Sequence, residues 1–127
     1  MAIKPKDDFT ASWYTPASEK EEDGKGDDGS IKFKDIDGAT RFKLCPLDSV
    51  QIDYALEAAT YNDKGELTDL SPKGKASALK YGLKEWENFD VKFSPTNFNK
   101  IPWSTRQELA MEIISNSLLS EDERKNS

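Results

Sequence analysis

Ile31-Lys32-Phe33-Lys34-Asp35-Ile36-Asp37-Gly38-Ala39-Thr40-Arg41-Phe42-Lys43-Leu44-Cys45 is the stretch on which the fold reading turns. Ile31–Ile36 begins with strict apolar/polar alternation, the period of a half-buried strand. Thr40–Cys45 alternates again, with Phe42 and Leu44 on one side. Asp37-Gly38 between them is a turn signal. Two alternating runs around Asp-Gly predict a β-hairpin over residues 31–45. Pro46 ends the second run, because it cannot donate a ladder hydrogen bond.

On the N-terminal side the composition changes. Residues 1–30 hold eight acids and four lysines, a net of −4, while the rest of the chain carries −2. Residues 19–30 contain no apolar side chain. Such a segment cannot bury enough surface to offset the ~1–2 kcal/mol per residue of backbone ordering. A flexible acidic loop or tail is expected there. Before it, Phe9, Trp13 and Tyr14 form an aromatic piece ending at Thr15-Pro16. Exposed aromatics are costly, so this piece is expected to dock on the body or on a partner.

On the C-terminal side three helices are predicted. Asp48 or Ser49 caps the first, which runs to about Tyr61. Asn62-Asp63-Lys64-Gly65 is a turn, and 66–70 reads as either a short strand or loop. Ser71-Pro72 starts the second helix. Ala76, Leu79, Leu83 and Trp86 follow at spacings of three, four and three, one helical face ending near Asn88. Gly74 and Gly82 each weaken that helix by ~1 kcal/mol relative to Ala. Val91–Phe93 is a short third strand by its alternation. Ser104-Thr105-Arg106-Gln107 has the form of a capping box. It opens a third helix carrying Leu109, Ala110, Ile113, Ile114, Ser117 and Leu118 to about Ser117 or Leu119.

The expected architecture is α+β, a small antiparallel β-sheet built on the 31–45 hairpin with about three α-helices packed on it. Residues 1–30 form a flexible acidic N-terminal segment, 31–119 a single domain and 120–127 a polar tail. A chain of 127 residues fits one core. No apolar run approaches the ~20 residues of a membrane span, and no apolar h-region opens the chain, so neither a membrane partner nor a secretory signal is expected.

Composition also limits the chemistry. With 18 Lys+Arg against 24 Asp+Glu the net charge is −6, against the basic footprint of a nucleic-acid binder. His is absent, which excludes imidazole bases and His metal ligands. The single Cys45 has no His to activate it and reads as a buried structural thiol. Asp35 and Asp37 flank a turn and read as turn chemistry rather than a metal pair. An EF-hand started at Asp23 fails, since its twelfth position is Lys34. Gly24, Gly26 and Gly29 match a phosphate-loop spacing only inside a run of acids that would repel phosphate. Lys32, Lys34, Arg41 and Lys43 alternate along the predicted hairpin and read as a solvated outer face, with single-strand binding the sharper alternative. Trp86, Phe89, Phe93 and Trp103 exceed what a helix cap needs. Most belong to the core, and any left exposed mark a partner site.

Three segments carry a resemblance: Arg41-Phe42-Lys43-Leu44-Cys45-Pro46-Leu47, Gly82-Leu83-Lys84-Glu85-Trp86-Glu87-Asn88-Phe89, and Ile101-Pro102-Trp103 leading through Leu109-Ala110-Met111-Glu112-Ile113 into Leu119-Ser120-Glu121-Asp122-Glu123. In this order they resemble small tail-region proteins of tailed bacteriophages and prophages, of the tail assembly chaperone type. The resemblance covers roughly residues 40–125. It implies a non-enzymatic role without cofactor: binding a helical tape-measure or tail-tube protein during tail morphogenesis, in the cytoplasm of a bacterial host or in the virion. Trp86, Phe89, Trp103, Ile114 and Leu118 are the candidate partner-binding residues. The alternatives are a structural tail or virion subunit that self-associates, and an acidic inhibitor of a host enzyme.

Overall fold

A computed structural model describes residues 9–118. The expected tail 120–127 lies outside them. The architecture is α+β, with antiparallel strands in three separate groups and three α-helices among the described residues. The elements that build the body are β1 (Ser12–Tyr14), β4 (Arg41–Leu44) and β7 (Leu83–Glu87), which form one sheet in the order β1-β4-β7. Helices α1 (Ser49–Leu56), α2 (Pro72–Gly82) and α3 (Trp103–Leu118) complete it. A hairpin of β2 (Lys20–Lys25) and β3 (Ile31–Asp35) stands apart from that sheet, as does a small ladder of β5 (Thr60–Tyr61) and β6 (Leu67–Asp69).

The predicted 31–45 hairpin does not form. Asp37-Gly38 does turn the chain, with Ala39 N–H donating to the Ile36 carbonyl. The two flanking strands nevertheless enter different sheets. Both edges of β4 are occupied, by β1 with Tyr14 opposite Phe42 and by β7 with Trp86 opposite Phe42. β3 pairs instead with β2, through a connection of equal length over residues 26–30. The acidic stretch expected as loop thus contains a strand. Every β2 and β3 residue is exposed, so its lack of apolar side chains is consistent with a ribbon that enters no core.

Alternation does set the faces of β4. Phe42 and Leu44 are buried, while Arg41 and Lys43 lie outside and approach the Trp13 ring at 5.4 and 5.8 Å. The aromatic N-terminal piece is therefore docked on the body as an edge strand.

The second helix is shorter than predicted. It stops at Gly82, and Leu83 is already extended. Trp86 lies on a strand and not on the helical face that the three-four-three spacing predicts. The reason is an irregularity in the β4–β7 ladder between Lys43 and Leu44. An extra residue on β7 lets Leu83 and Trp86, three apart, point to the same buried side. A bulge in a strand thus reproduced a helical spacing. Val91–Phe93 forms no strand.

The first helix ends at Leu56 instead of Tyr61, because Ala58 takes a left-handed conformation (φ 58°) and Thr60–Tyr61 pairs with β6. Its start is as expected: Asp48 accepts from Gln51 N–H at 2.8 Å while the Gln51 side chain accepts from Asp48 N–H. The third helix begins at Trp103, which puts Ser104 inside the first turn and not at the cap.

The core joins Phe42 and Leu44 of the sheet to Leu47, Leu79, Leu83, Ile101, Leu109, Ile113 and Ile114. Both helix glycines permit close approach. A Cβ at Gly74 would collide with the Ala55 carbonyl, and one at Gly82 would lie 2.6 Å from Ile113 Cγ2. The helix propensity lost at these two positions is offset by backbone contact with α1 and by contact with α3.

Candidate partner-binding site

The first turns of α2 and α3 lie side by side, and Gly82 at the end of α2 abuts Ile113 of α3, so the helices run in the same sense. Their N-terminal ends flank one recess of about 250 Å³, lined by Pro72, Lys75, Ala76, Leu79, Trp103, Arg106 and Gln107. Local chemistry holds both walls. The Ser71 hydroxyl accepts from Gly74 N–H at 3.0 Å and donates to the Glu57 carbonyl at 3.0 Å, fixing the start of α2 against the end of α1. Pro102 supplies the carbonyl that receives Arg106 N–H at 3.0 Å in the first turn of α3.

The recess is apolar in its floor and positive at its margin. Buried Leu79 provides the floor and exposed Ala76 part of the rim, while Lys75 and Arg106 carry the charge, that of Lys75 paired with Asp69. Lys75 Nζ sits 3.1 Å from Asp69 Oδ1, and its hydrogen bond holds the Asp69 carboxyl below the usual range, with Leu70 N–H adding to the effect. Arg106 Nε is buried and has no hydrogen-bond partner, an unmet donor of the kind that costs free energy until an acceptor arrives. The N-terminal ends of two helices add partial positive charge. Trp103 stands beside these groups with 67% of its surface exposed. An apolar side chain next to a carboxylate or a carbonyl fits this combination. Among the described residues no three metal-ligating side chains converge.

The five sequence candidates are not brought together. Trp86 is buried, and Phe89 is half-buried against it with ring centroids 5.3 Å apart. Both belong to an aromatic cluster, edge-to-face with Phe42 and Phe93 and tilted at Phe98. The Trp86 indole N–H donates to the Val91 carbonyl at 2.7 Å, which meets its one polar need inside the core. Ile114 is fully buried. Trp103 and Leu118 are exposed, at opposite ends of α3.

Other motifs separate in the same way. Lys32 and Lys34 lie on β3 and Arg41 and Lys43 on β4, in different sheets, so no single basic face forms. Lys34 lies 3.8 Å from both Glu21 and Asp23, and Arg41 is paired with Glu87. Asp35 accepts from the Thr15 hydroxyl at 2.9 Å. Cys45 is half-buried, its thiol donating to the Phe9 carbonyl at 2.8 Å. Lys75 and Arg106 were missed by sequence reasoning. The only signal was their place one turn inside two helix starts, and nothing local says that those starts meet.

Comparison of the chain with protein-family models, with curated proteins and with solved structures finds no match.

Proposed function

We propose that the chain is a non-enzymatic assembly chaperone that binds a helical segment of a larger tail protein, of the tape-measure kind, at the recess between α2 and α3. The observation that carries the reading is Trp103, two-thirds exposed beside an apolar recess that also holds Lys75 and the unmet Arg106 donor. Exposed Trp and Arg around an apolar hollow are the residue types that dominate binding energy at interfaces. A client helix that places a Leu or Met in the hollow and an acid one turn away would meet both features. The resemblance over residues 40–125 supplies the class of client.

The test is co-expression with the tape-measure protein of the phage or prophage that encodes the chain. The client is expected to stay in the soluble fraction and to co-elute with this chain. Trp103→Ala and Ala76→Glu, both at exposed positions, are expected to weaken that complex at least about tenfold, a loss of about 1.4 kcal/mol. A client that remains insoluble, or a complex indifferent to both substitutions, would overturn the reading.

A further inference from the structure

The β2–β3 ribbon has two unlike faces. Cross-strand partners share a face, so Glu22 with Phe33, Lys25 with Ile31, and Lys20 with Asp35 lie together. The opposite face carries Lys32 and Lys34, with Lys34 between Glu21 and Asp23. That second face is fully charged and suits water. The first is apolar at its centre and left open among the described residues: Phe33 is 62% and Ile31 51% exposed. A two-stranded hairpin is at best marginally stable alone in water. This one is shaped with care nonetheless. Gly24 takes φ +78°, the left-handed conformation that admits an extra residue opposite β3, and the register shifts between Glu22 and Lys25 accordingly. The turn is tied by Gly26 N–H to the Ser30 carbonyl at 2.7 Å and by Asp28 Oδ1, which accepts from both Ser30 N–H and the Ser30 hydroxyl.

We propose that this face is a self-association surface whose occupant is the same face of a second copy of the chain. Charge complementarity selects the copy. Glu22 and Lys25 stand on β2 beside the two apolar side chains, one of each sign. A two-fold axis running across the strands between the Glu22–Phe33 and Lys25–Ile31 pairs sets each Phe33 against the other copy's Ile31 and brings each Glu22 to the other copy's Lys25. The outer pair Lys20 and Asp35 adds one charge of each sign outside the contact, Asp35 being held by the Thr15 hydroxyl. The face is thus electrically neutral and complementary to itself, as an isologous contact requires, although the chain as a whole carries −6. The patch is small, which places the dimer among weak, concentration-dependent associations. This contact is separate from the α2–α3 recess, so either can fail without the other.

Sedimentation velocity on the full chain, from micromolar to millimolar concentration, tests the proposal. The wild-type protein is expected to shift from monomer toward dimer, and Phe33→Ser to abolish the shift. Glu22→Lys alone and Lys25→Glu alone each place like charges together and are expected to remain monomeric. Mixing those two variants pairs two lysines with two glutamates and is expected to restore dimer, as heterodimer only. Circular dichroism of each variant checks that it is folded. The mixing step does not depend on the stability of any one hairpin. A wild-type chain that stays monomeric overturns the proposal. So does a dimer that survives Phe33→Ser, which would lie on another surface. A dimer lost with Phe33→Ser but untouched by the charge exchanges would overturn the two-fold arrangement.

Discussion

At the scale of single residues, Glu108 does more for the N-terminal strand than its exposed-helix pattern suggests. Its Oε2 accepts from the Tyr14 hydroxyl and, at 2.9 Å, from Ala17 N–H, tying β1 and the turn after it to α3. Hydrogen bonds to a charged acceptor contribute about 1.5–3 kcal/mol. Glu108→Ala is expected to lose about 2 kcal/mol in urea unfolding. The same contact gives a pH dependence. Burial first, then the hydrogen bond to Glu108 and its charge, push the Tyr14 phenol well above its ordinary value of 10.0. The folded state therefore keeps a proton that the unfolded chain releases. The contribution is complete below pH about 10 and is lost as pH rises beyond it. The difference in stability between wild type and Tyr14→Phe is expected to shrink over that alkaline range. A difference that stays constant would show that Tyr14 and Glu108 are not coupled.

At the scale of elements, the junction of α2 with its neighbours is decided by what lies against each glycine. Gly82→Ala gains up to about 1 kcal/mol of helix propensity but must displace Ile113, a buried side chain rather than backbone. Gly74→Ala meets the backbone carbonyl of Ala55, which cannot move without moving α1. Thermal melts are expected to show Gly74→Ala as the more damaging, by about 2 kcal/mol or more, and Gly82→Ala as the milder. The reverse order would mean that α1 yields more readily than the α2–α3 seam. The α2–β7 boundary belongs to this scale too. The run Leu79, Leu83, Trp86 keeps its helical spacing in sequence but is divided between a helix and a bulged strand, and both elements bury it in one core, whereas Ala76 at its head is exposed and Ala78 is buried instead.

At the scale of the whole molecule, the body and the hairpin arm are built on different principles. The body closes a core around Phe42, Leu47, Ile101, Leu109 and Ile113. The arm contributes no residue to that core. Replacing residues 20–35 by a short Gly-Ser linker is therefore expected to move the melting temperature by only a few degrees, through loss of the Thr15–Asp35 contact and the closure entropy of a flexible loop. Collapse of the body on that replacement would show that the arm supports β1. The acidity of the chain is likewise unevenly placed. Acids crowd the arm, while Lys75 and Arg106 meet at the recess.

Sequence by itself determined the mixed α+β class, the faces of β4, the starts of α1 and α2, and the long third helix, because each depends on periodicity or capping within a few residues. The turn at Asp37-Gly38 was legible for the same reason. Only the tertiary structure decided which strands pair. A strand's alternation says which face is buried but not which edge finds a partner, and β4 was claimed on both edges by segments some thirty and forty residues away. The same holds for the site. Trp103 was visible as an aromatic in excess, but whether it or Trp86 is left in water depends on which side chains α2, β7 and α3 bring around it. Lys75 and Arg106 came together only because two helices, thirty residues apart, run in the same sense. Edges, seams and recesses are relations between elements, and they form only when the chain closes on itself.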